Sequence, residues 1–511
     1  MAQFGELLKQ ILTEQGYSVS SFSRLASLDR GWLYAIFSGK RKLPESNLQN
    51  ILEGSFFTQE NAERLRQAYY QEIYGKDQME RILFLQHHFS DLCHPADMEP
   101  AELPLMAEVL PESGYLGSMP EVLGAAYHLI RETQSLSDAS PELCTNLPYY
   151  FPTLDQMLLQ SFRQDPPDYR LHRIVPLLQN GAGTYNLEKL FASLQYLGKP
   201  AHLWYYYTAQ IHTALPDQIF PFYLIAPKGV LLIHQDGRQG LLVREEGFCA
   251  KIRDSFQNSL KSCTEMTYFY DSALSFLSNS HEAQSADYAV ELGNAVTLLL
   301  DRALLSQYGS SRFTGVRREW IISSLLGFLS QQSSSSQDNK ILLSKQIILD
   351  FLHTGVFPNI PRDYLNPLSP EHRLELLSRM ETHLKNHPQQ SLGLLDQRIF
   401  GEYSNNFSIS LARKSNSVIF CGQKYPRTGQ SFVGECGLQI SNAVLYHDFL
   451  YFFDYAQRNQ YIYDTENSLA VLRQLAFGAA QKGSVPQPVS QQPPAAEEYY
   501  PKGRGDMAPA L

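Results

Sequence analysis

The chain has 511 residues, enough for about three domains with cores of their own, which excludes a single small domain. It carries 42 Lys+Arg against 52 Asp+Glu, a formal charge of -10, so any nucleic-acid contact must be a local patch rather than a property of the whole surface. The six cysteines (Cys93, Cys144, Cys249, Cys263, Cys421, Cys436) form no Cys-x-x-Cys pair, which argues against a zinc knuckle or a disulfide framework and leaves reduced thiols.

Residues 4–15 have the apolar spacing of an amphipathic helix. Glu6 and Lys9 fall where a secretory leader would be apolar, so a cytoplasmic location is expected. Residues 16–44 then read GYSVSSFSRLASLDRGWLYAIFSGKRKLP. Phe22, Leu25 and Ala26, and after them Leu33, Ile36 and Phe37, recur at helical spacing on either side of the polar break Ser27-Leu28-Asp29. Two short helices joined by a tight turn are predicted, with Asp29 as N-cap of the second because its carboxylate can accept from free first-turn amides. Arg30, Gly31, Trp32 and Tyr34 are then left off the packed face, where a helix lying in a DNA major groove presents side chains to base edges. Ser38-Gly39 stops that helix, and Arg24 together with Lys40, Arg41 and Lys42 is suited to phosphate contacts. Within residues 1–50, six basic side chains meet four acidic ones, so the acidic excess lies further along the chain.

This stretch resembles the helix-turn-helix of the Cro and phage-repressor-like (XRE-type) regulators over residues 4–53. The family pattern places a glutamine, a small residue, a turn glycine, a buried aliphatic and a closing Gly-basic-basic-Pro at positions that here hold Val19, Ser23, Ser27, Leu33 and residues 39–44. The resemblance implies a small all-α head that binds double-stranded DNA as a homodimer. It also implies half-sites about one helical turn, roughly 34 Å, apart, and a bacterial regulator of transcription.

Residues 55–145 read as a helical connector, with helices starting near Thr58 and Asp77 and a third over 120–133. From 146 to 285 the character changes to an α+β module: strand-like runs at 220–225, 229–233 and 239–244 precede a helix over 246–262. Residues 286–385 look helical, most clearly 286–308, and are interrupted by a mobile linker at 330–338. A second α+β module at 386–478 repeats the earlier order, with strands at 407–411, 417–421 and 433–438 and a helix over 442–455, which suggests a duplication. Residues 479–511, rich in Gln, Pro, Ala and Gly, are expected to be disordered. The fold class expected is therefore multidomain and mainly α, with an all-α head, a helical connector and a large α+β body of short antiparallel strands. Residues 288–305, the best candidate for a membrane span, are broken by Glu291, Asn294, Asp301 and Arg302, so no membrane partner is expected.

No catalytic motif is present, so an enzyme is not expected, and no cofactor is implied. Gly181-Ala182-Gly183 is too short for a dinucleotide loop and reads as a turn. His87, His88, Cys93, His94 and Asp97 match no zinc spacing, and adjacent histidines on a helix diverge. Arg170, His172 and Arg173 read as a solvated face, and Trp204-Tyr205-Tyr206-Tyr207 as core packing. The reading is a DNA-binding transcriptional regulator whose body senses a small-molecule or protein effector. The alternative is a protein-interaction scaffold whose helix-turn-helix no longer binds DNA.

Overall fold

Apolar residues at helical spacing build the head. In a computed structural model, which describes residues 3–54, 56–93, 113–136, 141–149, 151–162, 169–209, 219–270, 288–293, 299–311, 313–333, 338–357, 360, 364–400, 407–423 and 435–481, five helices close around Phe4, Leu8, Phe22, Leu33, Ile36 and Leu48. They are α1 (Gln3–Glu14), α2 (Val19–Leu25), α3 (Arg30–Phe37), α4 (Glu45–Glu53) and α5 (Gln59–Tyr74). Gly75, at φ +87°, takes a conformation that side chains resist and ends α5, and α6 (Lys76–Cys93) follows.

The body consists of two mixed sheets of eight strands. The first is built from β1 (Gly114–Leu116), α7 (Met119–Gln134), β2 (Glu142–Thr145), α8 (Pro152–Ser161), β3 (Arg170–Leu178), α9 (Tyr185–Leu194), β4 (Ala201–Thr208), β5 (Phe222–Ala226), β6 (Gly229–Ile233), β7 (Gly240–Val243), α10 (Glu246–Leu260) and β8 (Thr264–Glu265). Its strand order is β1-β7-β6-β5-β2-β3-β4-β8. Strands β2, β3 and β4 are parallel, with α8 and α9 as crossovers, and β5, β6 and β7 form an antiparallel meander beside β2.

The second sheet uses β9 (Thr267–Tyr270), β10 (Tyr288–Leu292), α11 (Arg302–Tyr308), α12 (Gly315–Ser333), β11 (Asn339–Ser344), α13 (Lys345–Thr354), α14 (Pro370–Asn386), β12 (Gln390–Leu395), α15 (Gln397–Phe400), β13 (Phe407–Ala412), β14 (Ser417–Gln423), β15 (Glu435–Ser441), α16 (Ala443–Arg458), β16 (Ile462–Tyr463) and α17 (Thr465–Gln481). Its order, β16-β12-β11-β10-β13-β14-β15-β9, repeats the first sheet strand for strand. Again three strands are parallel, a meander lies beside the first of them, and the edge strands β9 and β16 pair as β1 and β8 do. The sheets meet in one continuous stretch. β8 pairs with β4, the Met266 N–H donates to the Leu203 carbonyl at 2.8 Å, and β9 then pairs with β15 of the next sheet.

The protein is thus α+β rather than mainly α, and its strands are not only antiparallel. The six meander strands and the helices α10 and α16 lie where the sequence predicts them, within a few residues. The parallel strands are what was missed. β10 and β11 lie within the region read as helical, β10 inside its clearest segment, and β1, α7 and β2 of the supposed connector belong to the first sheet. For β2, β10 and β11 the cause is length: buried strands of four to six residues have no periodicity that separates them from a piece of buried helix. Helix α12 also runs through Ser333, into the expected linker, and α17 reaches Gln481, into the expected tail. Residues 334–337 and those after 481 lie outside the described residues.

Each sheet buries an ionisable side chain on one of its inner strands. Arg173 of β3 is fully buried, contrary to the solvated face expected for it. It pairs with Asp155 of α8, donates to the Tyr196 hydroxyl at 2.8 Å and to the Leu147 carbonyl, and lies 3.8 Å over the Tyr149 ring. Burial opposes its charge, and Asp155, Tyr196 and Tyr149 more than offset that, so its pKa is raised. In the second sheet the buried group is Glu291 of β10, which accepts from Asn339 Nδ2 at 2.8 Å. Desolvation raises its carboxyl pKa to about 7.

Candidate nucleic-acid interface

Local capping chemistry builds the two short helices α2 and α3 and the turn between them. The Ser18 hydroxyl accepts from the Ser21 N–H at 3.1 Å at the start of α2, and Asp29 Oδ1 accepts from the Trp32 N–H at 2.9 Å at the start of α3. Between the helices, the Ser23 hydroxyl is buried and donates to the Leu28 carbonyl at 2.6 Å, which pins the turn. Ser27 sits at φ +53°, the left-handed conformation for which the resembled family uses glycine. The end of α3 is a Schellman motif. The Gly39 N–H donates to the Ile36 carbonyl at 2.9 Å, the Lys40 N–H to the Ala35 carbonyl at 2.8 Å, and Gly39 has φ +68°.

These caps leave most of the candidate side chains in solvent. Arg24, Arg30, Gly31, Lys40, Arg41 and Lys42 are exposed, and Tyr34 is 52% exposed with its ring edge-on to Phe37. Trp32 differs: it is half-buried and packs against the head core, so part of it serves the fold. Val19, at the family's glutamine position, also packs partly on that core. Behind α3, α1 approaches so closely that a Cβ on Gly5 would overlap the Ile36 carbonyl oxygen.

Sequence reasoning did not find the network that ties this surface to the body. The Tyr69 hydroxyl donates to the Leu43 carbonyl at 2.9 Å, directly after the basic turn, and the Tyr70 hydroxyl donates to Glu45 at 2.8 Å. Glu45 pairs with Arg458 of α16 at 2.8 Å, Arg458 pairs with Asp454, and Tyr74 donates to Asp454 at 2.8 Å. One step on, Arg81 of α6 pairs with the buried Asp448 of α16 at 2.8 Å and donates to the Gly181 carbonyl of the first module. Desolvation raises the Asp448 carboxyl above its ordinary range despite Arg81. No local pattern announces this network: Tyr69 and Tyr70 bond to residues 26 and 25 positions away, and Tyr74 bonds to Asp454, 380 positions away.

The other candidates lie on separate elements of the fold. Gly181 and Gly183 have positive φ and form the turn between β3 and α9. Along β4, Tyr205 is buried, Trp204 and Tyr206 are half-buried, and Tyr207 is exposed, the alternation of a strand. His87 and His88 are exposed on α6, whereas His94 and Asp97 lie outside the described residues. Among the described residues no group of three metal-ligating side chains occurs, and no helix is long and apolar enough to cross a membrane.

No family model and no curated protein matches the chain. Among solved structures it is similar to TrmBL2, an archaeal chromatin protein described as showing a novel mode of DNA binding. The two are 12% identical with a TM-score of 0.21, over 45% of this chain and 86% of that one. Similarity of that degree establishes no shared fold.

Proposed function

We propose that the protein is a sequence-specific DNA-binding regulator of transcription that works by binding rather than catalysis. The observation that carries this reading is the surface built by the Asp29 cap and the Gly39 turn: an outward α3 bearing Arg30 and Tyr34, followed at once by exposed Lys40, Arg41 and Lys42. Arg30, Gly31, Tyr34 and the exposed part of Trp32 face base edges, while Arg24, Lys40, Arg41 and Lys42 neutralise phosphates. Two copies bind half-sites of a symmetric operator as a homodimer. An effector of the body acts by shifting α16, whose Arg458 and Asp454 hold Glu45 and Tyr74 of the head.

A parallel salt titration of two variants tests the residue roles. Arg30→Ala relaxes sequence preference at one base position; Lys40→Ala weakens binding to all duplexes alike and lowers the salt slope by about one. Identical behaviour of the two refutes the placement of the recognition helix. The second reading, a scaffold that binds protein, is favoured by Val19, which packs on the core where the resembled family places a polar glutamine. It requires that the intact chain bind no duplex at low salt.

A further inference from the structure

The flank of the head holds a cleft of which the proposed phosphate contacts use only the Arg41 and Lys42 wall. It encloses about 560 Å³ between the start of α1, the turn after α3 and the junction of α5 with α6. Phe4, Gly39, Arg41, Lys42, Glu72 and Lys76 are among its walls. The volume is that of a small-ligand site, but Phe4 and Ile36 are the only large apolar side chains of its lining, where such sites are mostly apolar. Three cations meet one carboxylate there. That carboxylate is already engaged, because Glu72 Oε1 accepts the Phe4 N–H at 2.9 Å, at the first turn of α1, where an anion is favoured. Three cations against one carboxylate leave the lining net positive. Lys76 reaches the cleft because Gly75, at φ +87°, turns the chain at the end of α5 and makes Lys76 the exposed first residue of α6.

The cleft opens beside Gly39, Arg41 and Lys42, the same turn that meets phosphates in the proposed function, so a DNA strand lying on that turn passes its mouth. We infer that the cleft seats a backbone phosphate of the bound duplex, with Lys76 as a third cation beside Arg41 and Lys42. The inference rests on the DNA-binding reading and extends its footprint beyond the helix-turn-helix, 34 residues past Lys42 in the sequence. A phosphate contact is blind to base identity, so Lys76 contributes affinity and salt dependence but no specificity.

The test uses the full-length chain, a labelled duplex and a salt series, with Lys76→Ala, Lys76→Arg and, as a control outside the cleft, Lys9→Ala. Losing one phosphate contact lowers the slope of log K against log salt by about 0.9 and weakens binding about eightfold at 0.1 M salt, for specific and random duplexes alike. Lys76→Arg is expected to keep the slope, and Lys9→Ala to leave it unchanged. Inorganic phosphate at matched ionic strength is the second probe. If it protects the head against proteolysis through Lys76 while the DNA slope stays unchanged, the cleft holds a free phosphate and the inference is overturned. An unchanged slope in Lys76→Ala overturns it in any case but leaves the regulator reading standing. Absence of duplex binding by the intact chain overturns both.

Discussion

The two modules of the body share one topology, yet they do different work, and the clearest difference lies in their matching helices. After the meander of the first module, α10 presents Lys251, Asp254, Ser255 and Asn258 to solvent, as an outer helix does. After the meander of the second, α16 is buried along most of its length, through Leu445, Asp448, Phe449, Phe452, Phe453 and Tyr455, because α6 packs over it. The interiors differ as well. On the strands themselves, β3 of the first module buries a cation paired with Asp155, and β10 of the second buries a carboxyl held by Asn339. The two modules thus share one strand order, and the second carries the helix on which the head is mounted. Topology alone would not reveal which copy that is; the side chains on α16 do.

The comparison breaks most visibly at the buried charges. Arg173→Ala leaves Asp155 without its partner under α8 and should cost about 3–5 kcal/mol, seen as a large fall in the urea midpoint. If the loss is under 1 kcal/mol, the pair is not what orders the first module. Arg81→Met strands Asp448, whose side chain is 1% exposed; because Arg81 is itself 14% exposed, the expected cost is smaller, about 2–3 kcal/mol. Hydrogen exchange should show that loss as faster opening of α6 and α16, with α10 unchanged.

Glu291→Gln sharpens the contrast in the opposite direction. The carboxyl titrates near 4.5 when unfolded and at about 7 when folded, so between those values the native state holds the extra proton and wild-type stability falls as pH rises. The variant should match wild type at pH 4.5 and exceed it by on the order of 2–3 kcal/mol at pH 8. A gap that does not widen with pH would contradict a carboxyl buried in neutral form. The smallest effect is in the head. Ser27→Gly removes a side chain held at φ +53° and should raise head stability by about 1 kcal/mol, a shift of a few degrees in its melting temperature.

Much of this architecture was legible, for local reasons. The head was readable because each signal is short-range: Asp29 three residues before the amide it caps, Gly39 at the stop of α3, and apolar residues at helical period. The meander strands and the helices after them were readable because turn residues punctuate them. The parallel strands were not, since β2, β10 and β11 are set by crossovers and partners far along the chain rather than by a pattern within them. The same holds for Arg173, whose charge on a sequence predicts solvent until Asp155 and Tyr196 are brought to it. Of the site, the exposed basic residues could be listed from sequence, whereas Lys76, the share of Trp32 given to the core, and the Glu45–Arg458 link required the fold.

The central claim is that α3 and the turn after it read DNA. Selection of random duplex DNA by the full-length protein, with Arg30, Lys40 and Arg41 all changed to Ala in a parallel sample, addresses it directly. The account predicts a two-fold symmetric motif that the triple variant loses. No enrichment by the intact chain or by residues 1–60 alone, or a motif that the triple variant retains, would contradict it.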